Sequence, residues 1–189
     1  MKRSILIYIL LHICIHSYSQ SWNWAKHIHS GGGERATVSC IDGQGNSYTI
    51  GGFDSNYSCQ FDTVTLFGVG TSTSFLAKYE SGGNLVWVKK ISYTSSQNCS
   101  GGIVDLVYDS ISNSLLFTGS ICGSFQMNST IITSSFGSMD AIFGKADLNG
   151  DILWYETITG LGIKQGRTIA YDNAGSVYVA GTNTHPIQI

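Results

Sequence analysis

The stretch Asp42-Gly-Gln-Gly-Asn-Ser-Tyr-Thr-Ile-Gly51 recurs in three related versions along this chain of 189 residues. The second version is Asp109-Ser-Ile-Ser-Asn-Ser-Leu-Leu-Phe-Thr-Gly119, and the third is Asp172-Asn-Ala-Gly-Ser-Val-Tyr-Val-Ala-Gly181. The leading aspartates are 67 and then 63 residues apart. Self-similarity at a nearly constant spacing indicates an internal repeat.

Two further landmarks recur in phase with the first. Trp87 and Trp154 each end a glycine-containing segment and are 67 residues apart, and Trp24 precedes Trp87 by 63 residues. Phe75-Leu-Ala-Lys-Tyr79 matches Ile142-Phe-Gly-Lys-Ala146, again at a spacing of 67. The shared spacing predicts two full repeats and a partial third, at about 22–86, 87–153 and 154–189.

Each repeat is predicted to form four or five short strands. The candidate strands are rich in β-branched and aromatic residues and are bounded by Gly, Asn, Asp and Ser. In the second repeat they are Trp87–Ile91, Ile103–Tyr108, Ser114–Thr118, Thr130–Thr133 and Ala141–Lys145. A β-propeller has one four-stranded sheet in each repeat, which forms one blade. We therefore expect an all-β fold of propeller blades.

The repeats are longer than ordinary blades of about 40 to 50 residues. The additional residues fall at 54–74 and 123–140, where we expect an elaborated loop or an extra hairpin on one rim of each blade. Rim loops are where binding sites are commonly built.

The Asp-x-x-Gly-Asn pattern is interpreted as a turn. Asp42 and its counterparts end strands, and Gly45, Gly83 and Gly150 can adopt the positive φ that a tight turn needs.

The N-terminus has the layout of a secretory signal peptide. Lys2 and Arg3 precede the apolar run Ser4–Ile15, and the small residues before Gln20 predict cleavage between Ser19 and Gln20. An uncleaved anchor is disfavoured because the run is too short to span a bilayer. A lipoprotein, acylated at Cys14, is disfavoured by Ile13. We therefore expect a secreted or cell-surface protein without a membrane span in its mature chain.

The composition argues against one class of partner, and the cysteine content sets which disulfides are possible. The net charge is only −2 and 12% of residues are charged, which argues against a nucleic-acid partner. Four cysteines remain after cleavage, and an oxidising compartment would allow three pairings among them. They are Cys40, Cys59, Cys99 and Cys122.

Motifs for catalysis or cofactor binding are weak, and we expect no catalytic, cofactor or metal site. His27 and His29 share one face of a predicted strand and could hold a metal only with further ligands, so we interpret them as exposed strand positions. Asp105 and Asp109 are candidates for a glycosidase acid pair by proximity alone. Trp87 and Trp154 could stack on sugars, but their phase-locked recurrence favours packing within blades.

The motif set resembles the SBBP-type β-propeller repeats of exported bacterial proteins. The residues that carry the resemblance in the first repeat are Trp24, Ala36, Asp42, Gly45, Asn46, Tyr48, Gly51, Phe61, Phe75, Lys78, Tyr79, Gly83 and Trp87. Those of the second are Trp87, Asp109, Asn113, Gly119, Phe125, Lys145, Gly150 and Trp154, with Ser112 in place of Gly and Ala146 in place of Tyr. Those of the third are Trp154, Ala170, Asp172, Gly175, Tyr178 and Gly181.

The resemblance implies an exported protein like those of Bacteroidota, in which a C-terminal sorting domain often follows the repeats. Two repeats and part of a third cannot close a ring, and propellers close with four to eight blades. We therefore expect the chain to be the N-terminal part of a larger propeller, completed by further blades of the same protein or by self-association.

Two functions follow as expectations. The first is a non-catalytic, exported or cell-surface module that presents rim loops to a protein or glycan partner. The alternative is the N-terminal part of an exported propeller enzyme, such as a glycan-active hydrolase or lyase, with catalytic residues outside this chain. A fold alone does not decide between them.

Overall fold

The computed structural model describes residues 22–70, 72–94, 101–135, 139–172 and 174–185. These residues form β-strands and no helix, which confirms the predicted all-β fold. The strands are β1 His29–Ser30, β2 Glu34–Ile41, β3 Ser47–Phe53, β4 Ser58–Phe61, β5 Val64–Phe67, β6 Ser72–Tyr79, β7 Leu85–Thr94, β8 Gly102–Asp109, β9 Ser114–Ile121, β10 Ser124–Met127, β11 Thr130–Thr133, β12 Asp140–Ala146, β13 Ile152–Ile158, β14 Lys164–Tyr171 and β15 Val177–Asn183.

The strands form antiparallel sheets of the kind expected for propeller blades. The first blade has the order β2-β3-β6-β7 and the second has the order β8-β9-β12-β13, while β14 and β15 pair as a third sheet. The innermost strands of the three sheets are β2, β8 and β14. They lie side by side, with β8 in contact with both β2 and β14. Each blade joins three strands of one predicted repeat to the Trp-bearing strand that begins the next repeat.

Each innermost strand carries a β-bulge at the same repeat position. The pairing register shifts across Thr37 in β2, across Val104 in β8 and across Arg167 in β14. These three residues keep the spacing of 67 and 63 that separates the leading aspartates. A bulge bends its strand and redirects side chains, so the three residues mark one common level of the inner wall.

The extra segments form hairpins, each of which pairs with the first strand of its own repeat. The hairpin β4–β5 pairs with β1, and the hairpin β10–β11 pairs with β7, the outer strand of the first blade. The predicted additional hairpins are therefore present, but each is hydrogen-bonded to a preceding strand rather than standing free on a rim. Covering a sheet edge in this way removes a site for unwanted pairing.

The hairpin registers show which residues of the two hairpins correspond. Cys59 pairs with Ser30 while Phe125 pairs with Tyr93, so Cys59 and Phe125 occupy matching positions. Phe61 therefore corresponds to Met127 and not to Phe125. The turn residues that follow, Asp62 at φ 48° and Asn128 at φ 53°, adopt the same left-handed conformation and support this alignment.

The core is divided into two hydrophobic clusters. One fills the space between the first and second blades and includes the fully buried residues Tyr93, Leu115, Ile121, Phe125 and Ile142. The other lies beneath the hairpin β4–β5, where the rings of Phe61 and Phe75 meet edge to face at 4.7 Å. The hairpins thus contribute buried side chains as well as backbone pairing, which is the main driving force for their docking.

Candidate functional site

The leading aspartates of the repeats hold turns. Asp42 accepts hydrogen bonds from the backbone N–H groups of Gln44 and Asn46 and from the Tyr48 hydroxyl, at 2.9, 2.9 and 3.1 Å. Asp172 makes the corresponding bonds to Ser176 and to the Tyr178 hydroxyl, at 2.9 and 3.0 Å. Burial alone would raise the pKa of Asp42, but these hydrogen bonds outweigh it and hold the pKa below its usual value.

In the second repeat Leu115 stands in place of the tyrosine of this motif, and a lysine contacts the aspartate instead. Lys145 lies 3.1 Å from the Asp109 carboxylate, which also accepts a bond from the N–H of Ile111. Burial of Asp109 acts to raise its pKa, but the bonds from Ser112 and Lys145 lower it overall. In the first repeat the matching Lys78 instead lies over the Tyr48 ring, 5.1 Å from its centroid.

Trp24 and Trp87 pack against turn glycines of their own repeats. A Cβ atom placed on Gly83 would lie 2.7 Å from the Trp24 ring, and one on Gly150 would lie 3.0 Å from the Trp87 ring. The turn glycines Gly45, Gly83, Gly150 and Gly175 have φ of 82°, 87°, 77° and 88°. Trp154 is 38% exposed and its ring meets Phe143 edge to face at 6.4 Å.

The remaining motif glycines, Gly51, Gly119 and Gly181, lie where β-strands approach closely. A Cβ atom on any of them would come within 2.0 to 2.3 Å of a backbone oxygen of the neighbouring innermost strand. Each glycine pairs directly with the residue that immediately precedes the bulge of the neighbouring strand. These positions therefore require a residue without a side chain.

The acidic candidates Asp105 and Asp109 serve separate contacts. Asp105 accepts hydrogen bonds from the hydroxyl of Thr168 and the backbone N–H of Ile169, at 2.8 and 2.9 Å. Asp109 is occupied by its turn and by Lys145. The structure thus gives each carboxylate a role in joining β-elements and does not place the two as an open pair.

A polar cleft of about 580 Å³ opens at the end of the innermost strands where the bulges lie. Its walls come from all three sheets, and the bulge residues of all three contribute to them. The lining includes Glu34, Arg35, Thr37, Val104, Gln165 and Arg167. The two arginines approach from different sheets, β2 and β14, and both are exposed.

Sequence reasoning missed this cleft. The signal that could have located it is the repeat phase itself, because Thr37, Val104 and Arg167 occupy one position in three repeats. Their types differ, whereas the turn residues recur. A repeat protein can change the residue type at such equivalent surface positions without disrupting the fold of its blades.

Glu34 also lies close to two histidines, and the three side chains are potential metal ligands. His27 and His29 are exposed, as predicted, although only His29 lies in a strand, and their rings lie 5.9 Å apart. Glu34 joins them, and one ligand atom from each of the three residues lies within 4.8 Å of the others. The sequence interpretation recognised the histidines but not the glutamate.

Of the cysteines within the described residues, Cys40 and Cys59 are free thiols and Cys122 is disulfide-bonded. Cys99 lies outside the described residues. Burial raises the pKa of Cys59 to about 11 and, with nearby Asp42 and Asp105, that of Cys40 to about 12. Both thiols should react slowly in the folded protein.

The predicted signal peptide and its cleavage site at Ser19 and Gln20 lie outside the described residues. Within the described part, no helix is long and apolar enough to cross a membrane.

Comparison with known proteins supports the repeat architecture. No family model matches the chain. An uncharacterized WD repeat-containing protein of Acanthamoeba polyphaga mimivirus is 30% identical over 158 residues. The match covers 78% of this chain but only 11% of the viral protein, so the chain spans about a tenth of that relative's length. The antiparallel blades and this match together fit a β-propeller repeat protein.

Proposed function

We propose that the chain is an exported or cell-surface β-propeller module of the SBBP type, non-catalytic, that binds a partner in the cleft between its innermost strands. The observation that carries this proposal is the cleft itself, which is open, polar and built from three sheets. The hairpins first expected to present a binding rim are paired to preceding strands. We therefore place the binding surface at the cleft.

The cleft favours an acidic ligand. Arg35 in β2 and Arg167 in β14 are exposed cations of the lining, and arginine forms paired hydrogen bonds with carboxylates. The lining also holds the carboxylates of Glu34 and Asp54, so we place the carboxylates of the ligand at the two arginines. Phe53 is the aromatic residue of the lining, and it is only 5% exposed, so it offers no ring on which a sugar could stack. We infer that the partner is a protein segment rich in Asp or Glu rather than a glycan.

Export is supported by two features. The N-terminal layout of Lys2, Arg3 and the apolar run matches a secretory signal. Cys122 is disulfide-bonded, and disulfides persist mainly in oxidising compartments. The test is to express the full chain in a bacterial host and to determine the N-terminal sequence of the exported product, which should begin at Gln20. Retention of residues 1–19 would contradict this part of the proposal.

The binding test compares a short oligoglutamate peptide, an acidic polysaccharide and a neutral polysaccharide as ligands. We expect the peptide to bind, and the double variant R35A/R167A to raise its Kd at least tenfold, the loss of about 1.4 kcal/mol. The matched control is K26A/K90A, which removes the same charge outside the cleft and should retain binding. Preference for a polysaccharide, or equal binding by both double variants, would contradict the proposed ligand or site.

A further inference from the structure

The segment that leads into the first blade brings two imidazoles and a carboxylate together. His27, His29 and Glu34 each offer a ligand atom, and all three atoms lie within 4.8 Å of one another. We propose that these residues form a Zn²⁺ site. This inference stands independently of the proposed ligand of the cleft.

The donor set suits zinc. Zinc with two histidines and one glutamate keeps a fourth, open position for water or another ligand. Ligand atoms around a tetrahedral zinc lie about 3.4 Å apart, as follows from bond lengths of about 2.0 to 2.2 Å. Because the side chains of His27 and His29 are exposed, small rotations can close the remaining distance.

The carboxylate is already oriented. The buried Ser30 donates a hydrogen bond of 2.6 Å from Oγ to Oε2 of Glu34, which leaves the other oxygen for a metal. Ser30 Oγ in turn accepts a bond of 3.2 Å from the N–H of Gly32. Such outer partners fix the direction of a ligand and strengthen metal binding.

The loop between the histidines and the glutamate is also held in place. The ring of Tyr57 covers Gly31 and Gly32, and a Cβ atom on either glycine would lie 2.7 Å from it. The carbonyl of Gly33 accepts a hydrogen bond of 3.2 Å from the N–H of Asp54. A packed loop of this kind presents its ligands with little reorganisation on binding.

Blade packing does not account for these residues. At the matching positions of the second repeat, counted from Trp87 and from the bulge, stand Lys90, Ser92 and Gly101. The repeat therefore keeps its turns and its tryptophans but not this ligand set. A feature confined to one repeat calls for a local explanation, and metal binding supplies one.

A bound zinc would join β1 to β2. His29 lies in β1 and Glu34 begins β2, so the ion would fix the leading strand against the first blade. Glu34 also lines the cleft, which places the open coordination position at its border. The ion would thus stabilise the fold at the entrance to the candidate binding surface.

The test is isothermal titration of the untagged full chain with ZnCl₂, with Co²⁺ absorption spectra as a second measurement. We expect one high-affinity ion per chain and visible Co²⁺ bands typical of tetrahedral nitrogen and oxygen ligands. Zinc at about a hundredfold excess over its Kd should raise the Tm by about 5 to 10 °C. Absence of a saturable site would overturn the proposal.

The variants identify the ligands. H29A and the nearly isosteric E34Q should each weaken zinc binding at least tenfold, and S30A should weaken it about 10- to 100-fold through the orientation of Glu34. The matched control is H185A, which removes an exposed histidine elsewhere and should bind normally. If E34Q binds zinc like the unmodified chain, or if H185A abolishes binding, the assignment is wrong. Far-UV circular dichroism of each variant separates lost ligation from lost folding.

Discussion

The carboxylate of Asp105 in the second blade lies 2.8 Å from the hydroxyl of Thr168 in the third sheet. The same oxygen accepts the backbone N–H of Ile169 at 2.9 Å. Thr168 directly follows the bulge at Arg167, so this one carboxylate fixes the inner strand of the next sheet where it lines the cleft. Neighbouring sheets are therefore joined by specific hydrogen bonds as well as by apolar packing.

Removing the Thr168 hydroxyl should weaken the contact between these sheets. We expect T168V to lower the free energy of unfolding by about 1 kcal/mol, and D105A to lower it by about 2 to 3 kcal/mol because it also leaves the Ile169 N–H unpaired. Equilibrium unfolding in urea measures both. The control T65V changes an exposed threonine of β5 and should stay within about 0.5 kcal/mol. Equal stabilities of T168V and T65V would show that the hydroxyl contributes nothing.

Comparison with a second glycine distinguishes the effect of the Trp24 ring on Gly83 from the effect of backbone strain. Gly175 has the same positive φ but nothing within 4 Å of a Cβ atom, whereas a Cβ on Gly83 would meet the Trp24 ring. We expect G175A to cost about 1 to 2 kcal/mol from φ alone, and G83A to cost clearly more. Thermal and urea melts check this. Equal losses would mean that the Trp24 ring moves aside freely.

The hairpin β10–β11 is predicted to stabilise the fold through Phe125. This side chain is fully buried and meets Tyr93 of the first blade edge to face at 5.6 Å. We expect F125A to cost about 3 to 5 kcal/mol, the range for truncating a buried phenylalanine. The control F67A truncates a phenylalanine of the other hairpin that is 69% exposed, and it should change little. A small effect of F125A would contradict the docked position of the hairpin.

Stability should fall in acid because of Asp42 and Asp109. The pKa of each is lower in the folded chain, since hydrogen bonds outweigh the opposing effect of burial. A lowered folded pKa gives stability that is complete above the unfolded value, about 3.9, and is lost as the pH falls through the folded value. The double variant D42N/D109N should be less stable at pH 7 and decline less steeply below about pH 4.

Thermal melts between about pH 7 and pH 2 measure this difference. The unmodified chain and the double variant share every other carboxyl group, so the gap between their curves isolates Asp42 and Asp109. Parallel curves across the acid range would show that the two pKa values are not lowered by folding.

The turns could be predicted from sequence because their interactions are local. Asp42 bonds to groups two to six residues away, and Gly45 needs a φ that glycine adopts readily. Five strands of the second repeat were also predicted, since their β-branched and aromatic runs are bounded by such turns, whereas β10 was not predicted as a strand. The bounds differ by a few residues, as they do for β7 and β9.

The docking of the hairpins could not be predicted in the same way. Phe125 and Tyr93 belong to one repeat but are distant in sequence. Whether they face each other depends on how the hairpin pairs with β7, which the spacing of the repeat does not determine. The same holds for the meeting of Glu34 with His27 and for the approach of Arg35 and Arg167 to one cleft. These features depend on how β2 and β14 bend at their bulges, which the residue types at the bulges do not indicate.

The most direct test of the account is hydrogen-exchange mass spectrometry of the full chain with and without the oligoglutamate peptide. If the cleft binds the ligand, protection should concentrate in the segments that line it, which are 33–37, 52–54, 72–74, 101–104 and 165–167. The hairpins at 58–67 and 124–133 should exchange unchanged. Protection confined to the hairpins would contradict the cleft as the binding surface and would return binding to the blade rims.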